Sequence, residues 1–154
     1  MDLSKVKWIV IVAVLLGLGW ILFTDSGKDF LYKRYTESTP GVDAAQDAKD
    51  EKGLSRLAGL LFRTFRYEDA ANVLDTATKR YPDGDMFYIN SYTLARCEEN
   101  LENYQAAVDI LLMLRDEGAP FIDDRVPSSE IIERRMQQLV EMHGLQPIPP
   151  LAGQ

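Results

Sequence analysis

Small residues followed four positions later by a bulky apolar one set the rhythm of this chain, at Ala70 and Leu74 and again at Ala107 and Leu111. On a helical period such residues share one face, and the small member lets a second helix approach closely. The pattern runs through residues 67–82 and returns from Tyr104 onward, which points to a repeated helical unit. Ahead of the first stretch, Leu54, Leu57, Ala58 and Leu61 predict a partner helix. Ahead of the second, Ser91, Leu94, Ala95 and Glu98 occupy the matching places, with polar Ser91 and Glu98 specifying that helix less firmly. Pro82, followed by Asp83 and Gly84, stops the first pair, and Pro120 follows the second. Asp85 is the expected N-cap of a helix running from Met86 to about Glu99. A last helix is predicted behind a Ser128 or Ser129 cap, with Glu130 in its first turn and Ile132, Met136, Leu139 and Val140 on its apolar face. Gly144 is its expected left-handed stop, with Leu145 folding back on the last turn.

At the amino terminus the periodicity gives way to a continuous apolar run. Trp8 to Phe23 is sixteen residues without a formal charge, roughly 24 Å of helix at about 1.5 Å per residue. A hydrocarbon core is about 30 Å thick, so a span would draw in Val6 and Thr24 and rely on Lys7 and Lys28 reaching outward. The expectation is a transmembrane anchor over residues 1–24, in the bilayer through residues 8–23, with Ala13 and Gly17 as a small-residue packing face. The rival is a cleaved secretory signal, against which no small-x-small cleavage site follows. Lys5 and Lys7 in a short leading tail favour a cytoplasmic amino terminus, which places the soluble domain on the extracytoplasmic, periplasmic side. Residues 25–50 read as a juxtamembrane linker broken at Pro40-Gly41, with residues 44–52 able to resume helix. Residues 146–154 read as an extended proline-rich tail.

Residues 51–120 resemble the tetratricopeptide repeat family. Leu54, Leu57, Ala58, Leu61, Tyr67, Ala70, Leu74, Ala77 and Pro82 stand at its pattern positions, and Leu94, Ala95, Tyr104, Ala107, Leu111 and Leu114 repeat them less completely. Tyr67 and Tyr104 are 37 residues apart, against a family period of about 34. The fold class so implied is all-α, an N-terminal transmembrane helix followed by a short antiparallel helical hairpin array with a C-terminal capping helix over residues 51–145. The resemblance also implies that the first helix of each hairpin lines a concave partner-binding face. That face would comprise Lys52, Ser55, Gly59, Phe62 and Arg63 from one hairpin and Ile89, Tyr92, Arg96, Glu99 and Asn100 from the other. Phe62 and Tyr92 would serve as apolar anchors, Arg63 and Arg96 would meet carboxylates, and Glu99 would set register. Equally, Phe62 and Tyr92 could pack on neighbouring helices. Ser55 and Gly59 do not supply the lysine and asparagine of the family's clamp for a terminal carboxylate.

Composition narrows the functional classes. A net charge of −7 on 154 residues disfavours nucleic acid as the main partner, and the length suits one small domain plus a tether. Cys97 is the single cysteine and His143 the single histidine, 46 residues apart, so no nucleophile–base pair or metal motif is evident. Asp83-Gly84-Asp85 and Asp123-Asp124 lack the ligand spacing of a calcium loop. The expectation is a non-catalytic protein without cofactor or metal, acting on other membrane or envelope proteins as a scaffold, assembly factor or accessory chaperone. The alternative is a permanent small subunit of a secretion, motility or energy-converting membrane complex.

Overall fold

A computed structural model describes residues 7–12 and 24–148, and every regular element among them is helical. Two compact units are formed, one ending at Glu37 and one beginning at Ser38. In the first, residues 7–12 are helical and α1 spans Asp25–Thr36. Asp25 lies in its first turn and Lys33 and Arg34 in its last, complementing the helix dipole at both ends. The Thr36 hydroxyl closes the helix by donating to the Tyr32 carbonyl at 2.9 Å.

The transmembrane part of the expected fold class is overturned. Among the described residues no helix is long and apolar enough to cross a membrane. Of the proposed span, only residues 8–12 are described, with Trp8 to Val12 exposed; Ala13 and Gly17 lie outside the described residues. The run of sixteen uncharged residues is short of a hydrocarbon core by about 6 Å, and flanking polar residues had to make up the difference. Residues 25–36 are helical, and residues 44–52, where helix can resume, open a longer helix.

That helix, α2, is Ala44–Arg63, entered through Asp43, whose Oδ1 accepts from the Ala45 and Gln46 amides at 2.9 and 3.3 Å. The chain before it is fastened by Asp50, 2% exposed, whose carboxylate accepts from Ser38 Oγ at 2.5 Å and Gln46 Nε2 at 2.8 Å. Helices α3, Tyr67–Arg80, α4, Phe87–Asn100, and α5, Tyr104–Asp116, follow as two antiparallel hairpins. The 37-residue offset read from Tyr67 and Tyr104 holds bond for bond in the turns. Thr64 N donates to Leu60 O and Arg66 N to Leu61 O; Leu101 N donates to Cys97 O and Asn103 N to Glu98 O. At the centre of each turn a non-glycine residue is left-handed, Phe65 at φ 61° and Glu102 at φ 63°.

Leu54, Leu57, Ala58 and Leu61 of α2 meet Ala70, Val73, Leu74 and Ala77 of α3 in a fully buried seam. Ala95, Ala107, Val108, Leu111 and Leu114 form the corresponding seam of the second hairpin. Gly118, at φ 67°, turns the chain into the four-residue α6, Ala119–Ile122, after which α7, Ser129–His143, packs on α5 through Ile132, Met136 and Leu139. Ser128 holds the N-cap position of α7 without a side-chain cap bond, whereas Gly144 ends the helix left-handed at φ 62°. Leu145 N then donates to Val140 O, and Leu145 packs on the second seam.

Between the hairpins, α4 starts without the expected Asp85 cap: Met86 occupies the cap position with no side-chain cap bond of its own. Its free amide instead donates to Glu51 Oε1 of α2 at 2.9 Å. Glu51 is 3% exposed and lies so close to Gly84 that a Cβ there would overlap its carboxylate. A Cβ at position 84 would push the Glu51 carboxylate off the Met86 amide. Gly84→Ala should therefore destabilise the chain by about 1–3 kcal/mol, the cost of a buried polar group losing its partner. The same change in a Glu51→Ala background should cost much less. Chemical denaturation of the four variants checks this; equal costs in both backgrounds would exclude the contact as the cause.

Candidate functional site

The first helices of the two hairpins bring part of the sequence-derived face together. Phe62, near the end of α2, lies under the Arg96 guanidinium of α4, with 4.7 Å from the guanidinium carbon to the ring centroid. Its edge meets Tyr67 at 5.2 Å between centroids. This cation–π contact joins the hairpins and orients both side chains, and is worth about 0.5–1 kcal/mol where solvent reaches it. Tyr92 is half-buried and packs on the second seam.

Other members of that face are placed differently. Glu99 is engaged by α7, where Arg135 Nε and Nη2 bind its two oxygens at 2.5 Å each, with the Glu99 side chain 12% exposed. Such a bidentate pair fixes the capping helix. Asn100 is exposed and donates from Nδ2 to the Arg96 carbonyl at 2.7 Å, within its own helix. Lys52 and Arg63 are exposed, and Ser55, Gly59 and Ile89 are half-buried. A Cβ on Gly59 would meet nothing within 4 Å, so the surface there is open.

Towards the other ends of α2 and α4, Asp47, Asp50 and Glu51 lie in α2 and Asp83 and Asp85 in the turn before α4. Arg125, in the loop before α7, binds Asp123 Oδ1 through Nε at 2.7 Å and Oδ2 through Nη2 at 2.9 Å. It also donates to the Asp85 carbonyl and to Met86 Sδ, tying that loop to the turn that carries Gly84. Residues 82–88 and 120–125 enclose an open cleft of about 690 Å³. Above it stand Phe121, 88% exposed, and Ile122, 63% exposed. Inspection for repeats passes over this pair because Pro120 looks like a helix terminator. The available signal is two adjacent bulky apolar residues between a proline and two aspartates, with no periodic partner.

The isolated chemical groups are placed as follows. Cys97 is fully buried, and burial, aided by Glu98, pushes its thiol up to about 12, so it stays protonated and unreactive. The His143 ring stacks on Tyr104 with centroids 3.4 Å apart. Among the described residues no group of three or more His, Cys, Asp or Glu could hold a metal ion. The architecture is that of a two-hairpin α-helical array closed by a capping helix. Comparison with protein-family models, curated proteins and solved structures returns no match.

Two carboxyls at the junction titrate in opposite senses. Burial holds Glu51 above the ordinary glutamate value of 4.5 and Asp85 adds to the rise, against the opposing pull of the Met86 N–H and Arg125. For Asp123, burial raises the value, but the Arg125 hydrogen bonds outweigh it and hold the group below 3.8. The extra stability that protonation of Glu51 adds is complete below about 4.5 and lost as pH rises through its higher folded value, above which the Met86 N–H bond to the carboxylate remains. That contributed by Asp123 is present above about 3.8 and lost as pH falls through its lower one. Relative to Glu51→Gln, the wild type should therefore gain stability as pH is lowered from 7 towards about 4.5. Melting curves across that range measure the difference, and parallel curves for the two proteins would contradict it.

Proposed function

We propose that residues 38–148 are a non-catalytic, tetratricopeptide-like protein-interaction module, acting as a scaffold or assembly factor. The supporting observation is the repeat itself: two hairpins in the same 37-residue register set Phe62 and Arg96 against each other on the first helices, with Lys52 and Arg63 exposed on the same helix as Phe62. Helical arrays of this kind use such faces for extended partners. The Arg96 guanidinium, stacked on Phe62, still offers N–H edges to a carboxylate, and Arg63 adds a second charge. An acidic or carboxylate-bearing protein segment is the matching ligand class. Arginine and aromatic residues are also the types in which interface energy concentrates.

Photo-crosslinkers placed singly at Ser55, Arg63 and Tyr92 should capture one common partner, and crosslinkers at exposed Asn72 and Asp109, on the second helices, should not. The double change Arg63→Glu, Arg96→Glu should weaken capture by at least about tenfold. The fold should tolerate it, because Arg63 is exposed and the Arg96 stacking is a small term. Capture of the same partner with equal yield from all five positions, or unchanged capture by the charge-reversed protein, would refute the assignment.

A further inference from the structure

The cleft at the acidic end stands apart from the Phe62–Arg96 face. Glu51, at that end of α2, precedes Phe62 by 11 residues, about 16 Å along a helix. Phe121 and Ile122 are held outward by the backbone around them: Gly118 enters α6 left-handed and Ala119, fully buried, pins its first residue inward. Neither exposed side chain gains the stabilisation that burial would supply. Two adjacent bulky apolar side chains rimmed by carboxylates beside a cleft have the make-up of a contact patch.

Charge identifies the complement. Asp83, Asp85 and Asp124 are exposed around the cleft, and their carboxylates make no hydrogen bond or ion pair among the described residues. The cation on the rim, Arg125, is bound by Asp123 and by the Asp85 carbonyl and also attracts the Asp85 and Asp124 carboxylates, but one guanidinium among the carboxylates of Asp83, Asp85, Asp123 and Asp124 leaves the cleft net negative. These carboxylates are spread around the apolar pair and do not converge as a metal site does. The net charge of −7 disfavours a second copy of the chain overall. We infer that the cleft docks a basic polypeptide segment of another protein, one in which a bulky apolar side chain is flanked by lysine or arginine. The apolar residue covers Phe121 and Ile122, and the flanking cations meet Asp83, Asp85 and Asp124. Such charge complementarity sets partner choice and on-rate, and the apolar contact sets residence time.

The test uses the full chain and a fluorescein-labelled peptide with lysines on both sides of a central leucine–phenylalanine pair, read by anisotropy. Companion peptides carry serines in place of the apolar pair or glutamates in place of the lysines. Phe121→Ser alone, and Asp83→Asn with Asp124→Asn, should each raise Kd by about tenfold or more. Removing the same charge elsewhere, with Glu68→Gln and Asp109→Asn, should change Kd by less than about twofold, because those charges are screened at a distance. Arg63→Glu, on the separate face described above, should leave this Kd unchanged. All six sites are exposed, so melting curves near wild type are expected and confirm that folding is not the cause. The inference is overturned by absence of binding, by equal binding of the serine peptide, or by equal weakening in the distant charge variants. The last two results would show bulk attraction to an acidic protein.

Discussion

Glu51 places a carboxylate, 3% exposed, where the first hairpin meets the second, and much of the fold is arranged around it. Taking a carboxylate out of water is costly unless donors replace the solvent. Here the replacement is the unsatisfied amide at the start of α4, so one bond meets two needs at once. Glycine at position 84 lets the carboxylate approach this closely, and the adjoining backbone is held by Arg125, itself fixed by Asp123. A chain of contacts thus runs from α2 through the inter-hairpin turn to the loop that launches α7. Phe62 under Arg96 makes a second tie between α2 and α4, and Arg135 with Glu99 ties α4 to α7.

This arrangement gives the two ends of the first helices different chemistry. At one end cationic and aromatic groups stack across the hairpin boundary. At the other, carboxylates surround a cleft beneath an exposed phenylalanine and isoleucine. A repeat array is well suited to carrying two such surfaces, because each hairpin needs only its neighbours for stability and leaves its turns and outer faces available. Two hairpins with one capping helix is a small array, and the capping helix supplies Ile132 and Met136, both fully buried, to cover a seam otherwise open to water.

Local physics explains what the sequence alone reveals. The helical hairpins are legible because Leu54, Leu57, Ala58 and Leu61 recur at three- and four-residue steps that a helix, not a strand, puts on one face, with Ala70, Leu74, Ala107 and Leu111 as their partners. Gly144 is legible because a left-handed stop favours glycine. The start of α4 is not. A local cap by Asp85 was the simplest expectation, but its place is taken by a side chain 35 residues earlier, and no nearest-neighbour rule reaches that far. Glu99 read as surface-facing because its partner, Arg135, is 36 residues away on the capping helix. The membrane anchor was inferred from uninterrupted apolarity in a segment short of a bilayer, and among the described residues no helix meets the length and apolarity of a span. Phe121 and Ile122 were overlooked because exposure is a tertiary property that periodicity does not report.

The Glu51 junction, together with the packing of α3 on α4, joins the two hairpins and the capping helix into a single cooperative body. Native-state hydrogen exchange in low denaturant measures this most directly, at the buried amides of Ala58 and Leu74 in the first hairpin and Leu111 and Ile132 in the second hairpin and cap. A single opening free energy and a single denaturant slope at all four sites are expected. A first hairpin that opens at lower free energy and with its own smaller slope, while the second stays protected, would contradict it.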